Sequence, residues 1–226
     1  MLPAALLVSL WAQAEAASPP PAPVPPPVVS KPASRVPANG VSVHARFAYR
    51  VGGAGRNVGP AAGFSLGGMF EHRYLASRQG FELGAAADFF YDRFSTAVVG
   101  SMPDATGQEA VFAGERTLSQ TSFAVLQTGG WRATDFRVFV AVGPGVTIGY
   151  FSSPELDLRP GTKTAAQPLV RGVVGFELAL SPLTALVVRA DYTHPFTRPT
   201  FVTDDAMKYS LFGDLFDAGA GLLVHF

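Results

Sequence analysis

The sequence predicts an all-β chain in which eight antiparallel strands close up and down into a transmembrane β-barrel. Three observations carry that prediction. Apolar residues recur with a period of two along eight segments, the spacing that places them on one face of a strand. The connections between those segments alternate long and short. Finally, mean hydropathy is positive at +0.23, yet there is no run of ~18 apolar residues to cross a bilayer as a helix.

Composition bounds the function as well. Charged residues make up 15% of the chain and aromatics 12%, against roughly 25% charged in soluble domains, so polar cover is thin. Lys and Arg number 17, matched by 17 Asp and Glu; a nucleic-acid partner would call for a basic excess. The chain has no Cys, which excludes a disulfide framework, a thiolate metal site and a lipid-modified amino-terminal Cys.

Residues 1–17 read as a signal peptide. Met1 to Trp11 is apolar, and Ala12-Gln13-Ala14 and Ala14-Glu15-Ala16 offer small-x-small cleavage sites, although no Lys or Arg precedes the apolar run. Residues 18–40 form a Pro-rich linker with nine of the chain's 19 prolines. Without amide donors at its prolines and with φ fixed there, such a stretch runs as extended polyproline II, and at ~3.1 Å per residue it reaches roughly 70 Å. It is expected to be a periplasmic tether, with the cell wall as a partner it could touch. The barrel itself is expected over residues 41–226, about 185 residues and hence one domain.

The first strand alternates Val41, Val43, Ala45, Phe47, Tyr49 and Val51 with Ser42, His44, Arg46, Ala48 and Arg50. After Gly52-Gly53-Ala54-Gly55 and Gly59-Pro60, the second sets Phe64, Leu66 and Phe70 against Ser65, Gly67, Met69 and Glu71. Arg73 to Gln79 is expected to be a polar turn. The third strand sets Phe81, Leu83, Ala85, Ala87, Phe89 and Tyr91 against Glu82, Gly84, Ala86, Asp88 and Asp92. Residues 93–117 form the longest connection, and Ala97-Val98-Val99 and Ala110-Val111-Phe112 imply that its two flanks continue as a ribbon.

In the fourth strand, about 118–131, Phe123, Val125 and Trp131 face one way. The same phase turns Gln127 outward, which points to a bulge. The fifth strand alternates cleanly from Phe136 to Tyr150, with Pro144 arguing for a bend or bulge because it cannot donate to a ladder. Val170, Val174, Phe176, Leu178 and Leu180 mark the sixth strand, and Leu186, Val188, Ala190 and Tyr192 the seventh. In the last, Phe216, Ala218, Ala220, Leu222, Val224 and Phe226 share one parity, opposite Asp217, Gly219, Gly221, Leu223 and His225.

These features resemble the small Gram-negative outer-membrane barrels of the OmpA and OmpX type. The resemblance rests on the strand pattern over residues 41–226, on short connections after strands two, four and six, and on the terminal Phe226. It implies long loops outside the cell, short turns in the periplasm, and a final strand with Phe226 as the signal read by the barrel-insertion machinery. It also implies surroundings of outer-membrane lipid and lipopolysaccharide.

With the apolar parity turned to lipid, the lumen should hold Arg46, Arg50, Glu71, Glu82, Asp88, Asp92, Arg137, Arg171, Glu177, Arg189, Asp191 and Asp217. An eight-stranded barrel is only wide enough to be filled by side chains, so these groups should pair with one another. Inward glycines, among them Gly67, Gly143, Gly175 and Gly219, would make room for the long Arg side chains. His44 and His225 are expected to be neighbours in the lumen. No catalytic residue, cofactor site or metal site is expected, since His194 has no Ser at a spacing that would pair with it. The expectation is a non-enzymatic barrel serving membrane structure or surface contact. Transport of small or hydrophobic molecules and lipid modification are the alternatives.

Overall fold

The computed structural model describes residues 37–51, 62–76, 79–104, 106–154, 164–197, 200–202, 208–210 and 213–226. The signal-peptide reading and nearly all of the linker reading fall outside them. The strands are β1 (Asn39–Val51), β2 (Ala62–Leu75), β3 (Gly80–Pro103), β4 (Glu109–Arg132), β5 (Phe136–Ser152), β6 (Thr164–Ala179), β7 (Thr184–Pro195), β8 (Thr200–Val202), β9 (Lys208–Ser210) and β10 (Asp214–His225). Eight of them close antiparallel in the order β1-β10-β7-β6-β5-β4-β3-β2, and β8 and β9 pair only with each other. That small hairpin lies in the connection before the last wall strand and went unread in the sequence. Closure joins Gly40 to His225 and Val51 to Asp214 in one unbroken register, with the Asn39 and Phe226 backbones bonded both ways at 3.1 and 3.2 Å.

Alternation decides which side is apolar. In β1 every outward residue from Val41 to Val51 is exposed and every inward one from Gly40 to Arg50 is buried. Val43 is 67% exposed, whereas Arg46 is 3% exposed. The same inversion runs around the wall, with Val140, Leu222 and Phe89 out and Arg137, Asp88 and Glu177 in.

The ribbon is present. β2 pairs with β3 only as far as Phe94, and β5 with β4 only from Thr117. Among the described residues, Thr96–Pro103 and Glu109–Arg116 therefore pair solely with one another. At its tip, the Asp104 carboxylate accepts from the Thr106 hydroxyl (2.7 Å), the Thr106 amide (2.8 Å) and the Gln108 amide (3.0 Å). Gly107 takes φ = 85°, which glycine adopts without strain.

The hydrogen bonds from Thr106 hold the Asp104 carboxyl below the usual carboxylate range. A depressed value stabilises the tip above the ordinary carboxylate pKa of roughly 4, and that contribution disappears as pH falls through the folded value. The amides of Thr106 and Gln108 are thus expected to exchange slowly at neutral pH and faster in acid. Asp104→Asn should remove this pH dependence in an exchange experiment.

Two sequence expectations are corrected here. The outward Gln127 needs no bulge, because inward Leu126 and Thr128 flank it in regular alternation. Its amide donates to the Gly84 carbonyl at 2.8 Å and to the Tyr74 hydroxyl, so a polar group is tolerated on the apolar side. Nor does Pro144 shift the register. The β4–β5 ladder lapses between Ala124/Gly145 and Gln127/Val142 and resumes in phase, while Pro144 stays opposite Val170 on β6. The irregularity that does occur lies between His72 and Leu75, where β2 slips by one residue against β3.

Candidate functional site

The lumen is the site, and its charges are arranged in two tiers. Alternation sends every second residue of each wall strand inward. On β3 Glu82 and Asp88 are separated by inward Gly84 and Ala86, and on β6 Arg171 and Glu177 by Val173 and Gly175. An apolar cluster that includes Met69, Ala86, Leu126, Phe139, Val173 and Val187 occupies this spacing.

In the tier near the chain termini, Arg137 meets Glu71 at 2.7 Å, Glu82 at 2.8 Å and Glu177 at 2.6 Å. Arg132 adds contacts to Glu82 (2.8 Å) and Glu177 (3.4 Å), and Arg73 lies 3.6 Å from Glu82. Three guanidiniums thus face three carboxylates. In the other tier Arg171 meets Asp88 (2.8 Å), Asp191 (2.7 Å) and Asp217 (3.5 Å). Arg189 meets Asp88 (3.0 Å) and Asp191 (2.8 Å), while Arg46 pairs with Asp191 and with Asp217 at 3.6 Å. Here too there are three of each sign. Buried charges are stable only when paired and hydrogen-bonded.

Aromatic rings fill space between these groups. The Arg171 guanidinium lies 3.7 Å from the Phe90 ring centroid, and Arg137 stacks over Phe139 at 5.1 Å. Beyond the Arg46 tier a second apolar cluster of Ala48, Phe94, Leu118, Phe151 and Leu215 crosses the interior, with Arg50 over Phe94 at 5.1 Å. The lumen is plugged, not open.

All twelve lumen residues named from the sequence are buried. Ten of them enter the two tiers; Arg50 and Asp92 stand apart from both. Arg73 was assigned to a turn and Arg132 was left unassigned. Both join the terminal tier, since β2 runs on to Leu75 and β4 to Arg132. The room made by Gly175 goes to the Phe139 ring, 2.3 Å from where a Cβ would stand, while Gly219 lies against Arg46 as expected.

The expected His44–His225 pair does not form, because the register puts His44 opposite Gly221 and His225 opposite Gly40. His225 contacts Arg73 at 3.0 Å and His44 contacts Arg189 at 3.3 Å. His194 bonds Asp214 at 2.7 Å near the rim, and among the described residues no Ser or Thr hydroxyl completes that pair. Also among the described residues, no group of three or more His, Cys, Asp or Glu is placed to hold a metal.

The outer wall is a continuous apolar surface with aromatic residues at both ends. Trp131, Phe136 and Phe176 cluster at one rim (6.0 and 5.7 Å between centroids). Tyr192 packs on Phe216 at 4.8 Å toward the other. A water-facing monomer rarely exposes an apolar patch beyond a few hundred Å², whereas an apolar band flanked by aromatic girdles around a polar interior is what a bilayer solvates.

No protein-family model matches the sequence, and no curated protein matches it. Among solved structures, the barrel resembles Neisserial surface protein A (TM-score 0.55, 11% identity, covering 84% of this chain and 97% of that one). It likewise resembles the outer membrane protein OprG from Pseudomonas aeruginosa (TM-score 0.54, 12% identity, 84% and 98%). The fold is that of the small outer-membrane barrels. Since a closed barrel with a lipid-facing band belongs to outer membranes, the wall places this barrel in one.

Proposed function

We propose that this outer-membrane barrel is non-enzymatic and non-conducting, and that it serves the envelope as a rigid wall element presenting its ribbon and loops at the cell surface. The observation that carries this reading is the lumen, which among the described residues is filled by two charge-balanced tiers and two apolar clusters. Purified barrel in planar bilayers is expected to show no steady conductance. Sustained channels of uniform size would favour transport instead.

The ribbon supports surface contact. Its Val99 and Val111 are each 79% exposed, and among the described residues no further strand pairs with either of its edges, the arrangement that accepts a partner strand. Replacing residues 97–112 by a short turn is expected to leave the folded, heat-modifiable species intact while abolishing binding of cells to their target surface. Retained binding would remove the ribbon from the proposal.

In this reading Phe226 and the apolar parity of β10 are what the insertion machinery recognises, lipopolysaccharide and phospholipid are the wall's partners, and the Pro-rich linker is a tether. One observation favours lipid chemistry as a second reading, namely the His194–Asp214 pair at the rim. The lipid A acyl pattern of overexpressing cells is expected to be unchanged, and a shift in mass abolished by His194→Ala would reverse that choice.

A further inference from the structure

We propose that the ribbon pairs with the ribbon of a second copy of this chain, β3 edge to β3 edge, and that the pair bridges two facing outer membranes. This rests on the reading above that the ribbon stands at the cell surface. Of its two edges, only the β3 edge is bare among the described residues. The β4 edge meets the continuation of β5: Arg116 Nε lies 3.5 Å from Ser153 Oγ, and a Cβ on Gly114 would stand 2.8 Å from Pro154. It also carries Glu109, Glu115 and Arg116, and charges are what natural edge strands use to refuse a partner. On β3, residues 96–102 read Thr-Ala-Val-Val-Gly-Ser-Met, with no charge and no proline before Pro103. Among the described residues no strand but β4 pairs with them.

Such an edge is self-complementary. Full overlap of residues 96–102 in an antiparallel pair centres the two-fold axis on Val99, so Val99 faces its own copy, Ala97 faces Ser101 and Val98 faces Gly100. No like charges meet across the axis. A Cβ on Gly100 would stand 2.6 Å from the Phe112 ring, so that ring already lies across the glycine. Val98 of the second copy would arrive beside it, an aromatic and β-branched contact of the kind that stabilises neighbouring strands. On the opposite face the exposed Val99 and Val111 would be covered in part by their counterparts.

Symmetry fixes where the second copy stands. A pair that uses the same patch on both copies is related by a two-fold axis. An axis along the strands would set each backbone amide against its own copy, donor against donor, so ladder bonds form only when the strands run antiparallel. Barrels inserted in one membrane all point their β3 strands the same way. Antiparallel ribbons therefore belong to barrels in two membranes that face each other. Thr96 to Pro103, at ~3.3 Å per residue, reaches roughly 26 Å, which brings pairing within range where the surface polysaccharide is short.

Two populations of cells with truncated lipopolysaccharide, both displaying the protein and each carrying its own fluorescent colour, test the pairing. Wild-type cells are expected to form clumps of both colours, and Val99→Lys cells to lose them while the folded, heat-modifiable species persists. Mixing Val99→Lys cells with Val99→Glu cells should restore two-coloured clumps, because each lysine then faces a glutamate across the axis. As a control, Val99→Cys on intact cells should react with a membrane-impermeant maleimide, since the chain has no native cysteine. Absence of that labelling would overturn the surface reading and this proposal with it. Labelling without two-coloured clumps, equal clumping with cells that lack the protein, or no rescue by the Lys and Glu mixture would overturn the pairing alone.

Discussion

Replacing Arg171 by leucine is expected to destabilise the barrel by about 3–5 kcal/mol, the loss typical of breaking a buried ion pair from one side. Arg171 contacts Asp88, Asp191 and Asp217, donates to Thr193 at 2.7 Å and stacks on Phe90. In its tier Arg46 and Arg189 each reach two of the three carboxylates, and Arg171 reaches all three. Leucine fills part of the volume but leaves those carboxylates to Arg46 and Arg189. Urea unfolding in detergent micelles, followed by the mobility difference between folded and unfolded barrel, measures the loss. Arg171→Lys should recover part of it, since it restores the charge without the planar fork. A loss below about 1 kcal/mol would mean that the tier is hydrated and that the ion pairs contribute little.

Gly143→Val is expected to be comparably damaging for a different reason. A Cβ built at Gly143 would stand 1.9 Å from the Val125 carbonyl oxygen, a backbone atom that cannot swing aside. This is also where the β4–β5 ladder lapses beside Pro144. Two strands approach too closely there for any side chain, so relief requires moving one of them. Overpacking of this kind costs about 1–3 kcal/mol where the site adjusts and more where it does not. By contrast, Gly172→Ala meets no atom within 4 Å and should be neutral in the same unfolding assay. If the two variants behave alike, strand spacing does not depend on glycine at position 143.

The wall was legible in the sequence because a barrel strand has a single repeating rule. Period two is local, so the inward and outward sets along β1, β3 and β5 follow from the residues alone. Gln127 and Pro144 were misjudged because each breaks the rule chemically while obeying it geometrically. Gln127 finds the Gly84 carbonyl and Tyr74 on neighbouring strands, and the β4–β5 ladder lapses beside Pro144 and resumes in phase without a bulge; neither fact is contained in a single strand.

The interior was legible as a set of residues and illegible as a structure. Which Arg meets which carboxylate depends on the stagger of eight strands, and the one-residue slip between His72 and Leu75 changes that stagger. For the same reason His44 and His225 were read as neighbours although His44 stands four positions along β1 from Gly40, the register partner of His225. Arg73 could have been found by extending the inward parity of Glu71 two residues further. The separation of Asp92 from both tiers had no signal in the sequence.

Oxygen accessibility of nitroxide labels in bilayers tests which side of the cylinder faces acyl chains. The chain has no native cysteine, so single cysteines at positions 138–142 of β5 report without interference. The account predicts high oxygen accessibility at 138, 140 and 142 and low accessibility at 139 and 141, a period of two in phase with the valines. Uniform values along β5, or high accessibility at 139 and 141, would contradict an apolar exterior around a paired ionic interior.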